Sequence, residues 1–274
     1  MKAFICTTCG IQYAEAPKEP ERCIICSEER QYVNPAGQSW TTLEEMENGD
    51  EYKNKIQREE AGLYSVHTLP HFAIGQVAYI VQGENFNVLW DCLTYLDAST
   101  IEHIKRLGGI DAIALSHPHY YATQVEWAEA FDAPIYIHED DRQWIVRPSE
   151  RIVFWSGEQL ELAPGIRLHR LGGHFKGAAV LEWQEGCSQE GVLLPGDTFL
   201  VVPDPEWATF LYSYPNKIPL PAKTVERMAK QLKQLKFNRV YDAFHQMMPE
   251  NAHLRVQKSA KRYIDAANGD LFDT

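Results

Sequence analysis

The residues best suited to chemistry in this chain are two histidines that stand two positions apart, His117 and His119. They follow the apolar run 112–115, which is typical of a buried strand. Side chains at positions i and i+2 of extended backbone point to the same side. Neutral imidazole is the commonest metal ligand among protein side chains, so this pair suits two ligands of one metal ion. Two histidines do not define a metal site by themselves.

Three later fragments each place a ligand-type residue beside glycine or after an apolar strand. His174 follows two glycines, Asp197 follows one, and His245 comes shortly after the predicted strand 239–243. Glycine allows close approach to a metal because it has no Cβ. His117, His119 and His174 would form the three-imidazole site, with an open fourth position, that lowers the pKa of a zinc-bound water to about 7.

These fragments together resemble the metallo-β-lactamase superfamily, whose motif is His-x-His-x-Asp-His followed by Gly-His, Gly-Asp and a final His. The resemblance covers the chain from about residue 62 to its end. It implies that Asp91, a charge inside an apolar strand, hydrogen-bonds a ligand histidine. It also implies a set of metal ligands, which in chain order are His117, His119, His174, the bridging carboxylate Asp197 and the last ligand His245.

The motif is degenerate at two positions. Where the family has Asp-His, this chain has Tyr121 and Ala122, which removes two usual ligands of the second metal. We therefore expect one metal in this centre. Tyrosine is a weak acid, with an ordinary pKa of about 10. We assign Tyr121 and Asp197 to catalysis: Asp197 would orient the metal-bound water, and Tyr121 would bond that water or a developing oxyanion. The alternative is that the aromatic ring of Tyr121 only fills the space of a second metal site that no longer binds metal.

A second candidate metal site lies near the N-terminus, in two Cys-x-x-Cys pairs separated by 13 residues. Pairs at this separation indicate a tetrahedral thiolate site, and a reducing cytosol disfavours the alternative of disulfides. The segment resembles a zinc ribbon or a rubredoxin. Its second pair lacks the Pro and Gly usual in rubredoxins, which favours zinc over iron. The predicted ligands are Cys6, Cys9, Cys23 and Cys26.

Composition restricts the classes of partner. The 274 residues are 45% hydrophobic and 23% charged, as in ordinary globular proteins. The apolar runs are shorter than the roughly 18 residues of a membrane span, and the first residues lack the features of a signal peptide. The net charge of −12 argues against a nucleic-acid partner. We expect a cytoplasmic protein that acts on a small molecule, without a membrane or nucleic-acid partner.

The order of elements predicts an α/β protein with a small N-terminal unit. Residues 1–36 form the four-cysteine unit, residues 37–61 a linker with a short helix capped by Thr42, and residues 62–274 the metallo-β-lactamase-like domain. Alternating strands and helices predict a four-layer αβ/βα sandwich. The strands are predicted at 76–82, 87–93, 112–116, 134–137, 152–154, 166–170, 178–183, 192–194 and 239–243, and the helices at 100–107, 123–131, 221–235 and 251–267.

The resemblance predicts a hydrolase with one zinc ion, in which metal-bound hydroxide attacks the carbonyl of an ester, thioester or lactone. A mononuclear iron oxidoreductase of the same fold is the second hypothesis, since iron suits either candidate metal site. The third hypothesis is a binding module that is stabilised by metal and has no catalytic activity. The presence of all three histidines argues against this hypothesis.

Overall fold

The N-terminal segment folds around a small two-stranded sheet in this computed structural model, which describes residues 1–31 and 33–273. The sheet pairs β1 (Ile5–Cys6) with β2 (Trp40–Thr41), and helix α1 (Leu43–Asn48) follows. The Thr42 side chain accepts a hydrogen bond from Glu45 N, which confirms the predicted cap of this helix.

A seven-stranded mixed sheet forms the first half of the larger domain. Its strands, in chain and spatial order, are β3 (Lys53–Glu60), β4 (Leu63–Leu69), β5 (Ala78–Gln82), β6 (Asn87–Trp90), β7 (Ala112–Ala114), β8 (Ile135–His138) and β9 (Ile152–Trp155). β3 to β6 are antiparallel and β6 to β9 are parallel. The parallel connections carry α2 (Ala98–Arg106), α3 (Gln124–Phe131) and the 3₁₀ helices Pro118–Tyr120 and Glu139–Trp144.

The second half of the larger domain contributes ten strands, which are β10 (Gln159–Ala163), β11 (Ile166–Arg170), β12 (Ala179–Trp183), β13 (Val192–Leu194), β14 (Leu200–Val201), β15 (Ala208–Thr209), β16 (Leu211–Ser213), β17 (Ile218–Pro219), β18 (Arg239–Tyr241) and β19 (Met247–Met248). Six of them form a sheet in the order β10-β11-β12-β13-β18-β19, with β13 and β18 parallel. Two hairpins, β14/β15 and β16/β17, lie outside this sheet. The helical segments are α4 (Gly186–Gln189), α5 (Ala222–Leu232) and α6 (Ala252–Asn268).

The side chains of the strands show how the layers are stacked. Tyr79 and Val81 of β5 share a buried cluster with residues of the second sheet, whereas Ile80 between them shares one with residues of α2 and α3. In β12, Leu181 joins the cluster between the sheets and Val180 joins a cluster with α5 and α6. Alternate residues of a strand face opposite sides, so the order is helices, sheet, sheet, helices. The predicted four-layer sandwich is confirmed.

The segment predicted as a linker differs most from the structure. Residues Lys53–Glu60 form an edge strand that pairs with β4 over almost its whole length. These residues are mostly charged or polar because an edge strand has one face in solvent. A linker has a similar composition, so the sequence did not distinguish the two. The four-cysteine unit also extends past residue 36, because Trp40–Thr41 pairs with Ile5–Cys6.

The four-cysteine segment packs directly on the larger domain. Three of its cysteines lie in the buried cluster that also contains residues of the first sheet, α2 and α3. Gln12 N donates to Ala122 O at 3.1 Å, and Ala14 N donates to Val146 O at 3.0 Å. The segment and the domain therefore share one core. Among the described residues, no helix is long and apolar enough to cross a membrane.

The inclusion of β3 in the sheet gives a direct prediction about stability. Ile56 is half-buried and packs against the cluster beneath the first sheet. We expect Ile56→Ala to lower the free energy of unfolding by about 1–2 kcal/mol, less than for a fully buried isoleucine. Denaturant unfolding measures this change. Lys53→Ala, at an exposed position of the same strand, is the control and should have little effect. Equal stability of both variants and the parent protein would mean that this segment is a linker after all.

Candidate metal centre

Four ligand-type side chains meet where the strands of both sheets end. His117 and His119 follow β7, His174 lies between β11 and β12, and Asp197 follows β13. The carboxyl ends of parallel strands lie at one edge of a sheet, which is why residues far apart in the chain converge there. The structure thus brings together four of the five side chains that the sequence predicted for this centre.

The two sheets approach each other closely at this edge. Ala179 N, at the start of β12, donates to Ser116 O at 3.0 Å. Gly196 has a φ of +55°, and a Cβ at this position would lie 2.5 Å from Ser116 Oγ. A larger residue at position 196 would push Asp197 away from the histidines, so glycine is needed both for the backbone angle and for the close contact.

The spacing of the ligand atoms fits one metal ion. The three imidazole centroids lie 4.9–5.0 Å from one another. His174 Nε2 is 3.3 Å from His119 Nδ1, and Asp197 Oδ2 is 3.4 Å from His117 Nε2 and 3.9 Å from His174 Nε2. A tetrahedral zinc ion with ligands at about 2.0–2.1 Å separates neighbouring ligand atoms by about 3.3–3.4 Å. The three imidazole nitrogens would hold the metal, and Asp197 Oδ2 lies close enough to contact the metal or a water bound to it.

The centre is buried, and burial shifts the pKa of several of its side chains. All four ligand residues are no more than 5% exposed. Burial, with the neighbouring His117, lowers the pKa of His119 well below its usual value and that of His174 to about 3. Both rings are therefore neutral, the form that binds metal. Burial acts to raise the pKa of Asp197, but the nearby imidazoles of His117 and His174 and the hydrogen bond from the Tyr120 hydroxyl outweigh it, and the net pKa is lowered.

A hydrogen-bonded relay orients His117. His117 Nδ1 lies 2.8 Å from Ser116 Oγ, which donates to Asp91 Oδ2 at 3.0 Å, and Ser116 N donates to Asp91 Oδ1 at 2.7 Å. The imidazole therefore carries its proton on Nδ1 and leaves Nε2 free for a metal. This Nε2 is buried and has no hydrogen-bond partner in the described part of the chain. Asp91 thus supports a ligand histidine through Ser116, whereas the sequence predicted a direct bond.

Tyr120 contacts the candidate ligand set, although the sequence did not predict this contact. Its hydroxyl donates to Asp197 Oδ1 at 2.5 Å. Burial, followed by the charge of Asp197, raises the pKa of Tyr120 well above its usual value, so the phenol stays protonated. The family motif has an arbitrary residue at this position, and the sequence therefore carried no signal for it.

Tyr121 lies in a different environment from the one predicted for it. Its side chain is buried in the cluster beneath the first sheet, and its hydroxyl has no hydrogen-bond partner among the described residues. Burial and the nearby Asp141 raise its pKa well above the usual value. The next residue, Ala122, has a φ of +44° and is also buried. The catalytic role assigned to Tyr121 stays a prediction, and Tyr120 is the tyrosine that contacts the ligand set.

The structure does not bring His245 to the metal centre. His245 Nε2 lies 2.8 Å from Glu59 Oε1, and its ring lies 5.7 Å from that of His67, centroid to centroid. The residue is exposed and has a φ of +63°. The expectation that it is the last ligand is corrected, because its backbone turns the side chain toward β3 and β4. The partner Glu59 belongs to the strand that the sequence predicted as a linker.

The four predicted cysteine ligands also converge. Cys6 Sγ lies 3.6 Å from Cys26 Sγ, and Cys9 Sγ lies 3.6 Å from Cys23 Sγ. All four are free thiols, and their sulfurs lie within 4.8 Å of one another. A tetrahedral thiolate site with zinc–sulfur distances of about 2.3 Å separates the sulfurs by about 3.8 Å. Gln38 Nε2 donates to Cys6 Sγ at 3.1 Å, a contact that a metal-bound thiolate favours.

A four-layer sandwich with three histidines and one aspartate at the shared edge of its sheets defines the metallo-β-lactamase fold class. The chain belongs to the metallo-β-lactamase superfamily, because the model of that family matches residues 73–241. It is 58% identical, over the full length of both chains, to the uncharacterized protein YmaE of Bacillus subtilis (strain 168).

Solved structures agree on the fold. The metallo-β-lactamase FIM-1 from Pseudomonas aeruginosa, in its mono-zinc form, has a TM-score of 0.56 and 15% identity, covering 77% of this chain and 96% of that one. The metallo-β-lactamase family protein TTHA1429 from Thermus thermophilus has a TM-score of 0.52 and 20% identity, covering 77% and 81%. At these identities the likeness concerns the fold alone.

The relay through Ser116 predicts an effect on metal affinity. Ser116→Ala removes the hydroxyl that accepts from His117 and donates to Asp91, and it leaves a buried carboxylate with one partner fewer. We expect metal affinity at this centre to fall roughly 10–100-fold. Chelator competition measures it. Ser259→Ala is the matched control, since Ser259 is also buried but bonds Ala208 and Arg255. An unchanged affinity in the Ser116 variant would show that the relay does not orient the ligand.

Proposed function

We propose that this protein is a hydrolase that uses a single zinc ion at its His/Asp centre to cleave a small ester, thioester or lactone. The observation that carries the proposal is the convergence of three imidazoles and one carboxylate, all buried, at spacings that suit one metal. A bound divalent metal would supply Lewis acidity and an activated water. His117, His119 and His174 would hold it.

Asp197 has two oxygens in different surroundings, and this division suits a catalytic carboxylate. Oδ1 accepts the hydrogen bond from Tyr120, whereas Oδ2 faces His117 and His174. Tyr120 thus fixes the carboxylate so that Oδ2 can orient a water and take its proton. The lowered pKa keeps Asp197 ionised near neutral pH. In this assignment Tyr120 is a positioning residue, whereas the hydroxyl of Tyr121 has no hydrogen-bond partner among the described residues.

Aromatic side chains pack around the centre. Phe175 packs against the imidazoles, with its ring centroid 4.9 Å from that of His119 and 5.2 Å from that of His174. Trp144 packs against Phe175, with 5.5 Å between the ring centroids. The net charge of −12 disfavours large polyanions as substrates.

A mononuclear iron oxidoreductase is the second candidate. The observation that favours it is the combination of a carboxylate with three imidazoles, a ligand set that also suits iron, and a four-thiolate site on the same chain. The two candidates differ in metal content. The hydrolase requires about two zinc ions per chain, one for each site. Purified protein that contains iron and consumes oxygen with a reductant would favour the oxidoreductase.

The hydrolase is tested with zinc-loaded protein and a panel of one aryl ester, one acyl thioester and one lactone. We expect hydrolysis of at least one of these classes, abolished by His174→Ala because a primary ligand is lost. At saturating zinc, Tyr120→Phe should lower kcat roughly tenfold or more, since a hydrogen bond to a charged group is lost. Tyr121→Phe is the matched control, and we expect its kcat to be unchanged.

Two results would contradict this assignment. A large loss of kcat in Tyr121→Phe together with full activity in Tyr120→Phe would restore the role first assigned to Tyr121. Zinc-loaded protein that hydrolyses none of the three classes would remove the proposed reaction.

A further inference from the structure

One side chain of the four-cysteine segment, Arg30, reaches the metal centre. Its Nη1 donates to the backbone oxygen of His174 at 2.9 Å. Its guanidinium carbon lies 3.9 Å from the centroid of the Phe175 ring, within the range of a cation–π contact. Phe175 in turn packs against all three ligand imidazoles. The guanidinium, the phenyl ring and the histidines therefore form successive layers over the site.

Arg30 is itself held in place. Glu28 Oε2 accepts from Arg30 Nε at 2.6 Å and from Arg30 N at 2.9 Å, and the Arg30 side chain is only 13% exposed. On the opposite side, Ser213 Oγ donates to Arg30 O at 3.1 Å and Asn216 Nδ2 donates to Glu29 O at 2.7 Å. Residues 28–30 are thus fixed between the four-cysteine site and the loop that follows β16.

The loop of His174 is closed by Leu171 N and Gly172 N, which both donate to Ala178 O at 2.9 Å, and Arg30 adds a restraint at His174 itself. Gly172 and Gly173, the two preceding residues, have positive φ and no side chains to fix the backbone. Arg30 lies four residues after the ligand Cys26, and backbone bonds from Ser27 N to Cys23 O and from Glu28 N to Ile25 O set the turn between them. A metal on the four cysteines would hold this turn, since so short a segment gains much of its folding energy from metal.

We propose that Arg30 is a positioning residue for His174, and that through it the occupancy of the four-cysteine site controls how tightly the His/Asp centre retains its metal. The coupling rests on metal binding at both sites and does not depend on the hydrolysis proposed above. When the four cysteines lose their metal, the 23–31 turn loosens, the contact of Arg30 with His174 O is lost, and the His174 loop releases its metal faster.

The first experiment measures zinc release from the full-length, zinc-loaded protein into an excess of chromogenic chelator, without substrate. Arg30→Ala should speed release from the His/Asp centre roughly tenfold or more, the size expected for loss of an outer-shell contact, while the four cysteines keep their zinc. Arg30→Lys should be intermediate, because lysine keeps the charge but not the planar fork. Arg239→Ala is the matched control, since Arg239 also bonds one carboxylate, of Glu60, and one carbonyl, of Pro249.

The second experiment tests the coupling with a double-mutant cycle. Cys26→Ser should release zinc from both sites, whereas Cys187→Ser, a control thiol outside the four-cysteine cluster, should release none. The double variant Cys26→Ser/Arg30→Ala should lose zinc from the His/Asp centre no faster than either single variant, because both changes break one connection. Zinc displaced from the thiols of the parent protein by a mercurial reagent gives the same comparison without mutation.

Three results would overturn the proposal. One is unchanged zinc release in both Arg30 variants. Another is additive effects of the cysteine and arginine changes. The third is mercurial treatment that empties the four-cysteine site while the His/Asp centre releases zinc at its original rate. Failure of every substrate in the hydrolysis panel would remove the proposed reaction and leave this coupling intact.

Discussion

The convergence of three buried imidazoles on one point is the constraint on which the rest of this structure depends. His117, His119 and His174 are at most 4% exposed, and their ring centroids lie 4.9–5.0 Å from one another. A buried nitrogen without a hydrogen-bond partner costs free energy, and His117 Nε2, which faces Asp197, has no such partner among the described residues. A metal ion would satisfy this nitrogen, and the layers of strands and helices serve to exclude water from it.

Two buried carboxylates near the centre, Asp197 and Asp91, differ in pKa because their surroundings differ. Asp197 keeps its charge because the histidines and Tyr120 stabilise it, whereas burial raises the pKa of Asp91 to about 7. Asp91 nevertheless accepts two hydrogen bonds from Ser116 and so defines the tautomer of His117. Asp197 therefore faces the ligand atoms, whereas Asp91 orients the ligand His117 through Ser116. Metal-binding histidines commonly have such a hydrogen-bonded partner.

The four-cysteine segment gives this domain a feature that its family motif does not describe. It shares a core with the first sheet, and it covers the centre through Arg30. A short segment of this kind owes its order to metal and to packing on a larger body. Two metal sites that share a boundary are then expected to influence each other, because any change in one alters the support of the other.

The sequence by itself determined nine strands of the two large sheets, four helices and most of the side chains that converge at the candidate centre. Apolar strands with period-two alternation, a capping threonine at position 42 and ligand-type residues after strand ends are local features, and local features can be read from a chain. The strands 166–170 and 192–194 have their predicted bounds, and four of five predicted ligands of the His/Asp centre converge.

Tertiary structure alone decided which neighbour of a motif residue faces the site. The hydroxyl of Tyr120, rather than that of Tyr121, meets Asp197, because the 3₁₀ turn after His117 sets the direction of each side chain. His245 pairs with Glu59 because β3 joins the sheet edge, although its sequence has the composition of a linker. Arg30 reaches His174 across 144 positions of the chain. Contacts of this kind depend on backbone direction and long-range packing, which residue types and spacing do not encode locally.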